Sequence, residues 1–120
     1  STPTMEEILK YNPQIIFLNA WDDCTPQDVY ENRIDGQNWS NVDAVVNHRV
    51  YKIPLSLYRW TPPNTVEKPL FYLYMASMIQ PEIFSEVDMR QEEQDFIQEF
   101  FGVTLTEEQL DSVFHTELYQ

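Results

Sequence analysis

Arg49-Val50-Tyr51-Lys52-Ile53-Pro54 runs directly into Leu55-Ser56-Leu57-Tyr58-Arg59-Trp60. In the first half, Val50 falls on one face of an extended chain and Tyr51 and Ile53 fall on the other. This predicts a short strand over 49–53, stopped by a proline that cannot extend a ladder. The second half ends in an aromatic–arginine–aromatic tip. A loop over 55–66 carries Pro62-Pro63-Asn64 and leads to Pro69–Gln80, the most apolar helix-like stretch of the chain. Strand and helix read as scaffold, and the tip reads as a surface that faces a ligand.

Upstream, Ile15-Ile16-Phe17-Leu18 is continuously apolar within Gln14–Asn19 and is preceded by Pro13. So short a run reads as a strand buried on both faces, as in a parallel sheet covered by helices. The helices are announced by their ends. Thr4 with Glu7 fits a capping box for a helix to about Tyr11, which Asn12-Pro13 closes. Thr25-Pro26-Gln27-Asp28 starts a second helix, expected to end near Arg33. Residues 39–46 read as a short helix or turn, with Asn47-His48 turning into the second strand and Asn47 suited to left-handed backbone. The next helix, beginning between Thr65 and Pro69 and running to Gln80, is apolar nearly all round from Leu70 to Ile79, the pattern of a buried central helix, and Pro81 stops it. Asp88 with Gln91 caps the next helix, whose stripe is Phe96, Ile97, Phe100 and Phe101, and Gly102 suits its left-handed end. Thr106 with Gln109 caps the last helix, with Leu105 and Leu110 as a staple and Leu110, Val113 and Phe114 facing inward. Two strands alone are marginal, so the sheet is expected to draw on strands outside this sequence or on another chain.

Composition narrows the function. At 120 residues, 42% hydrophobic and 14% aromatic, the chain suits one domain with a real core. A net charge of -13 argues against nucleic acid and anionic membrane surfaces, which would repel it. The charge is uneven: residues 82–120 hold eleven acids and one base, Arg90, read as solvated helix faces. A single cysteine, Cys24, excludes an internal disulfide. No apolar run is long enough to span a membrane. There is no signal-peptide pattern and no initiator Met, and the sequence opens almost on a helix start, as expected of a piece of a longer protein.

Three ordered stretches then point one way. Glu6-Glu7-Ile8-Leu9-Lys10-Tyr11-Asn12-Pro13-Gln14-Ile15-Ile16-Phe17 resembles a segment of the class III substrate-binding proteins of ABC importers, which serve ferric siderophores, haem, cobalamin and some metal oxyanions. Trp39 to Pro54, with Ala44-Val45, Asn47, Arg49-Val50-Tyr51 and Ile53-Pro54, is similar to the family's next conserved run. Pro69-Leu70 through Ala76 and Gln80-Pro81-Glu82-Ile83-Phe84 resemble the helix that follows. Phe100-Phe101-Gly102-Val103, Leu105-Thr106 and Gln109-Leu110 resemble the closing helices. Gln14 replaces the family's usual Asp, and His48 stands where Gly or Asn is common. The resemblance implies an α/β fold: a three-layer α/β/α lobe with a small, mainly parallel sheet and a helix-rich C-terminal half. It also implies that residues 1–120 are one domain, the C-terminal lobe of a two-lobed protein whose N-terminal lobe and linking helix are absent. The implied setting is extracytoplasmic, periplasmic or lipid-anchored. The implied partners are a metal chelate, with a ferric siderophore expected first, and an ABC permease. No cofactor is implied.

In open α/β sheets ligands sit beyond the carboxyl ends of the strands. Here those places are Trp21-Asp22-Asp23 and Tyr58-Arg59-Trp60. Arg59 offers a permanent charge with several donors for anionic oxygens; Tyr58, Trp60 and Trp21 offer flat apolar area with a polar edge. Ligand contact is therefore expected at Arg59, Trp60, Tyr58, Trp21 and Asp22, against the alternative that the aromatics pack and Arg59 pairs with an acid. The resemblance places a permease-docking glutamate at Glu67, where a carboxylate would also complement a helix start. A nucleophile at Cys24 lacks a histidine nearby in sequence, with His48 in a turn and His115 near the end. Asp22-Asp23-Cys24 is a poor metal pattern. An enzyme is not expected; the competing reading is an acidic interaction domain without a transport role.

Overall fold

The computed structural model describes residues 2–57, 60 and 66–120. Its chain divides into two compact units, Ser1–Ile53 and Pro54–Gln120.

The first unit holds α1 (Met5–Tyr11), β1 (Ile16–Leu18), α2 (Pro26–Tyr30), α3 (Asp43–Val46) and β2 (Val50–Lys52). Both expected capping boxes are present, at Thr4 with Glu7 and at Thr25 with Asp28. The two strands pair in parallel, Ile16 opposite Val50 and Leu18 opposite Lys52. Ile16 N–H donates to the Arg49 carbonyl at 3.0 Å and Ile53 N–H to that of Leu18 at 2.9 Å. Alternation therefore turns the Val50 backbone away from β1. The Tyr30 hydroxyl serves both of its groups, accepting from Val50 N–H at 3.0 Å and donating to Val50 C=O at 3.3 Å. Burial raises the pKa of that hydroxyl, which keeps its proton available for the second bond. Val29, Val42, Ala44, Val45 and Val50 form the core, with Ile16, Leu18 and Trp39 packed on it. β1 is only half-buried along its length, not buried on both faces as its apolar run predicts. Among the described residues it has one strand neighbour, so part of its surface stays open.

One turn differs from expectation. The left-handed residue before β2 is His48, at φ 53, while Asn47 has φ -93. Arg49 N–H reaches back to Ala44 C=O at 2.7 Å, and that reversal falls one residue later than asparagine chemistry predicts. A non-glycine left-handed residue costs about 1–2 kcal/mol; the His48 ring lies 4.6 Å from that of Tyr30, a contact that offsets part of it.

The second unit holds α4 (Lys68–Ile79), α5 (Met89–Phe101), α6 (Glu107–Val113) and a final 3₁₀ turn, Thr116–Tyr119. The chain is thus α/β, with a small parallel sheet and a helix-rich C-terminal half. Asp88 caps α5, Gly102 ends it at φ 66, and Thr106 with Gln109 forms the capping box of α6. α4 packs against α5, but it buries one stripe, Leu70, Phe71 and Tyr74, and leaves Tyr72 and Ile79 exposed. Its all-round apolar sequence is therefore not matched by all-round burial. On α5 the expected phenylalanine stripe is likewise displaced: Ile97 is buried, Phe100 and Phe101 are exposed, and the other buried residue is Glu93. Trp60 is the largest fully buried side chain among the described residues, with 0% of its surface exposed. Its ring meets Tyr74 at 6.1 Å and Phe114 at 5.9 Å, both edge-on, the geometry aromatic quadrupoles favour.

Candidate functional site

The carboxyl end of β1 leads through Asn19 and the buried, small Ala20 to Trp21 and Asp22. Trp21 is 52% exposed, and Asp22 is exposed as well. The turn they occupy is tied from two sides. Asp22 Oδ1 accepts from Cys24 N–H at 2.9 Å. Lys52, the last residue of β2, is 7% exposed, and its Nζ donates to the carbonyls of Asp22 and Cys24. Parallel pairing explains the reach, because Lys52 sits opposite Leu18 and so beside the point where the chain leaves β1. A positive group thus gathers two carbonyls and presents Trp21 at the rim of the sheet's carboxyl end. Just beyond, Thr25 and Asp28 close the start of α2. Backbone and side-chain hydrogen bonds from Thr25 hold the Asp28 carboxyl below its ordinary range.

The exposed Trp21 ring offers a flat contact surface; the turn does not activate a nucleophile. Burial, then Asp28 and Asp22, push the Cys24 thiol up against a smaller opposing effect of Lys52, so the thiolate is disfavoured. Among the described residues no three His, Cys, Asp or Glu side chains group as metal ligands would.

The remaining expected site residues belong to the second unit. Tyr58 and Arg59 lie outside the described residues. Trp60, expected at the ligand face, has no exposed surface in this conformation. The reason is its partners: Tyr74 and Phe114 enclose the ring that the sequence placed at a loop tip. Glu67, expected to dock a permease, is also 0% exposed, and its carboxyl faces Glu93 instead. Docking on another protein needs an accessible carboxylate, and here Glu67 is a core residue. This unit also carries an apolar groove of about 420 Å³ between Leu55, Leu57, Ile97, Phe101, Val103 and Leu105, with no charged side chain to recognise a chelate.

Sequence reasoning missed Lys52 and Glu93. Each carried a signal: Lys52 shares its strand face with Val50, and Glu93 stands four residues before Ile97 on the inward stripe of a helix. A charged residue in an apolar register asks for a buried partner.

No family model matches the chain. A periplasmic solute-binding protein from Veillonella parvula is 38% identical with a TM-score of 0.91, over 98% of this chain and 36% of its own. The Helicobacter pylori CeuE structure with Ni(II) bound is 28% identical with a TM-score of 0.68, over 92% of this chain and 33% of its own. The molybdate-binding protein MolA of Haemophilus influenzae is 25% identical over 99 residues, which are 82% of this chain and 27% of that protein. This chain thus spans about a third of the length of the proteins it resembles. The Veillonella parvula neighbour is a periplasmic solute-binding protein, and MolA is the molybdate periplasmic binding protein of an ABC transporter. Among the described residues no helix is long and apolar enough to cross a membrane.

Proposed function

We propose that this chain is the C-terminal lobe of an extracytoplasmic substrate-binding protein that delivers a metal-bearing ligand to an ABC permease. The observation that carries this reading is the 38% identity, sustained over 98% of the chain, to a periplasmic solute-binding protein. The order of the matched stretches and the parallel pairing of β1 with β2 support it further. Binding is non-covalent and needs a second lobe. Within the first unit, Trp21 and Asp22, held by Lys52, are the proposed ligand contacts; Tyr58 and Arg59 stay proposed contacts on the sequence reading alone. Trp60 anchors the segment that bears Tyr58 and Arg59 rather than touching the ligand.

The ligand class is a metal chelate or a metal oxyanion. A ferric siderophore is one member of it, alongside haem- and cobalamin-type chelates. The solved neighbours hold Ni(II) and molybdate, which widens the expectation from siderophores to small metal species. An acidic interaction domain without transport is the weaker reading, because the similarity runs through the first unit as well as the acidic helices.

The test is calorimetric titration of the two-lobed protein against molybdate, Ni(II)–histidine and a ferric siderophore panel. Binding of one class is expected, and Arg59→Ala with Trp21→Ala should weaken it at least ten-fold, about 1.4 kcal/mol. Absence of binding to every metal species would overturn the functional reading; unchanged affinity in the variant would overturn the site.

A further inference from the structure

The second unit buries two carboxyl groups that ligand binding leaves without a role. Glu93 projects from α5 and Glu67 immediately precedes α4, and each has 0% of its surface exposed. Glu93 Oε1 accepts a hydrogen bond from Ser56 Oγ. Its Oε2 is buried and meets no donor among the described residues, while the carboxyl as a whole is within hydrogen-bonding reach of that of Glu67. Two ionised carboxylates cannot share such a place. Like charges in a low dielectric repel, and neither would have a donor to offer the other. A carboxylic acid beside a carboxylate has no such conflict, because the acid's O–H supplies the missing donor.

We propose that Glu93 is held protonated and donates to the Glu67 carboxyl, and that the resulting O–H···O bond is a pH-sensitive clasp joining Ser56, the start of α4 and the inner side of α5.

The chemistry around Glu93 agrees. Desolvation is the largest influence on it, raising its pKa to about 7; the Glu67 carboxyl raises it as well, and the Ser56 hydroxyl opposes them. Among the described residues, Glu67 is the titratable group acting on Glu93, and no described cation is among the influences on it. The placement gives the clasp its consequence. Ser56 precedes and Glu67 follows residues 58–65, so one proton pins both flanks of the segment that carries Tyr58 and Arg59. An effect on ligand affinity would rest on the functional reading above; the clasp itself is measured without ligand.

The sign follows from the raised acid. The folded chain keeps a proton that the unfolded chain releases above about 4.5, so stability falls as pH rises from there through about 7 and then levels off. The experiment is thermal unfolding at pH 5 and pH 8, with carboxyl-carbon NMR of Glu93 in the wild-type protein. Expected are a Glu93 midpoint near 7, a melting temperature lower at pH 8, and a smaller drop in Glu93→Gln, whose amide donates to Glu67 without titrating. Glu67→Gln should lower the Glu93 midpoint, since its amide can donate to the ionised carboxylate. A wild-type Glu93 midpoint below 5, or a Glu93→Gln protein with the wild-type pH slope, would overturn the clasp. The NMR titration needs no variant and decides the matter even where a substitution prevents folding.

Discussion

Lys52→Met isolates what the buried lysine does for the Trp21 turn. Methionine keeps most of the unbranched stem and removes the Nζ that donates to the carbonyls of Asp22 and Cys24. A hydrogen bond to a charged group contributes about 1.5–3 kcal/mol. Two such bonds would suggest a larger loss, but two effects offset it. Asp22 is exposed, so its carbonyl is rehydrated when Nζ leaves, and the variant no longer desolvates a charge. Cys24 is half-buried, so its carbonyl carries most of the penalty. The net expectation is a destabilisation of about 2 kcal/mol, a fall in melting temperature of roughly 8 °C for a domain of this size. Trp21 should report the same event locally. With its turn released, its emission should shift to the red and its quenching by acrylamide should increase, read against a Trp21→Phe background that subtracts Trp39 and Trp60. A melting temperature within 1 °C of wild type, together with unchanged quenching, would refute the claim that Lys52 holds this turn. Loss of stability with unchanged Trp21 quenching would confine the lysine to a core role.

Tyr30→Phe should cost about 1–3 kcal/mol by stranding Val50 N–H and C=O, and hydrogen exchange at the Val50 amide should accelerate relative to Ile53, whose bond is to Leu18. Thr25→Ala should cost about 1 kcal/mol as a lost helix cap and should raise the Asp28 pKa, seen by NMR. Because the Asp28 pKa is depressed on folding, its contribution is present above the unfolded value of 3.8 and is lost as pH falls through the folded value. The wild-type protein should therefore lose more stability than Thr25→Ala on acidification below 3.8; equal losses would show that the capping box is not the cause.

Local chemistry was legible wherever a few neighbouring residues settle the matter. Thr4, Thr25, Asp88 and Thr106 cap helices, and Gly102 ends one, because each satisfies orphan backbone groups within three or four positions of itself. The apolar run at Ile16–Leu18 and the alternation at Val50–Lys52 defined two strands for the same reason. The ordered resemblance to substrate-binding proteins of ABC importers drew on these same local patterns, and its coarser part agrees with the similarity to periplasmic solute-binding proteins.

What the sequence could not decide was which side chains meet across long separations. Trp60 looks like a loop tip until Tyr74 and Phe114 close on it from 14 and 54 positions away. Glu67 looks like a surface carboxylate at a helix start until Glu93 lies opposite it. Lys52 looks misplaced on the Val50 face of its strand until the chain leaving β1 folds two carbonyls over its Nζ. In each case a residue's type and its sequence neighbours stay fixed while its dielectric surroundings change completely. Those surroundings are set by packing between segments distant in sequence. The pattern of residues therefore fixed the frame, and tertiary packing decided which polar groups would be buried and what partner each would find.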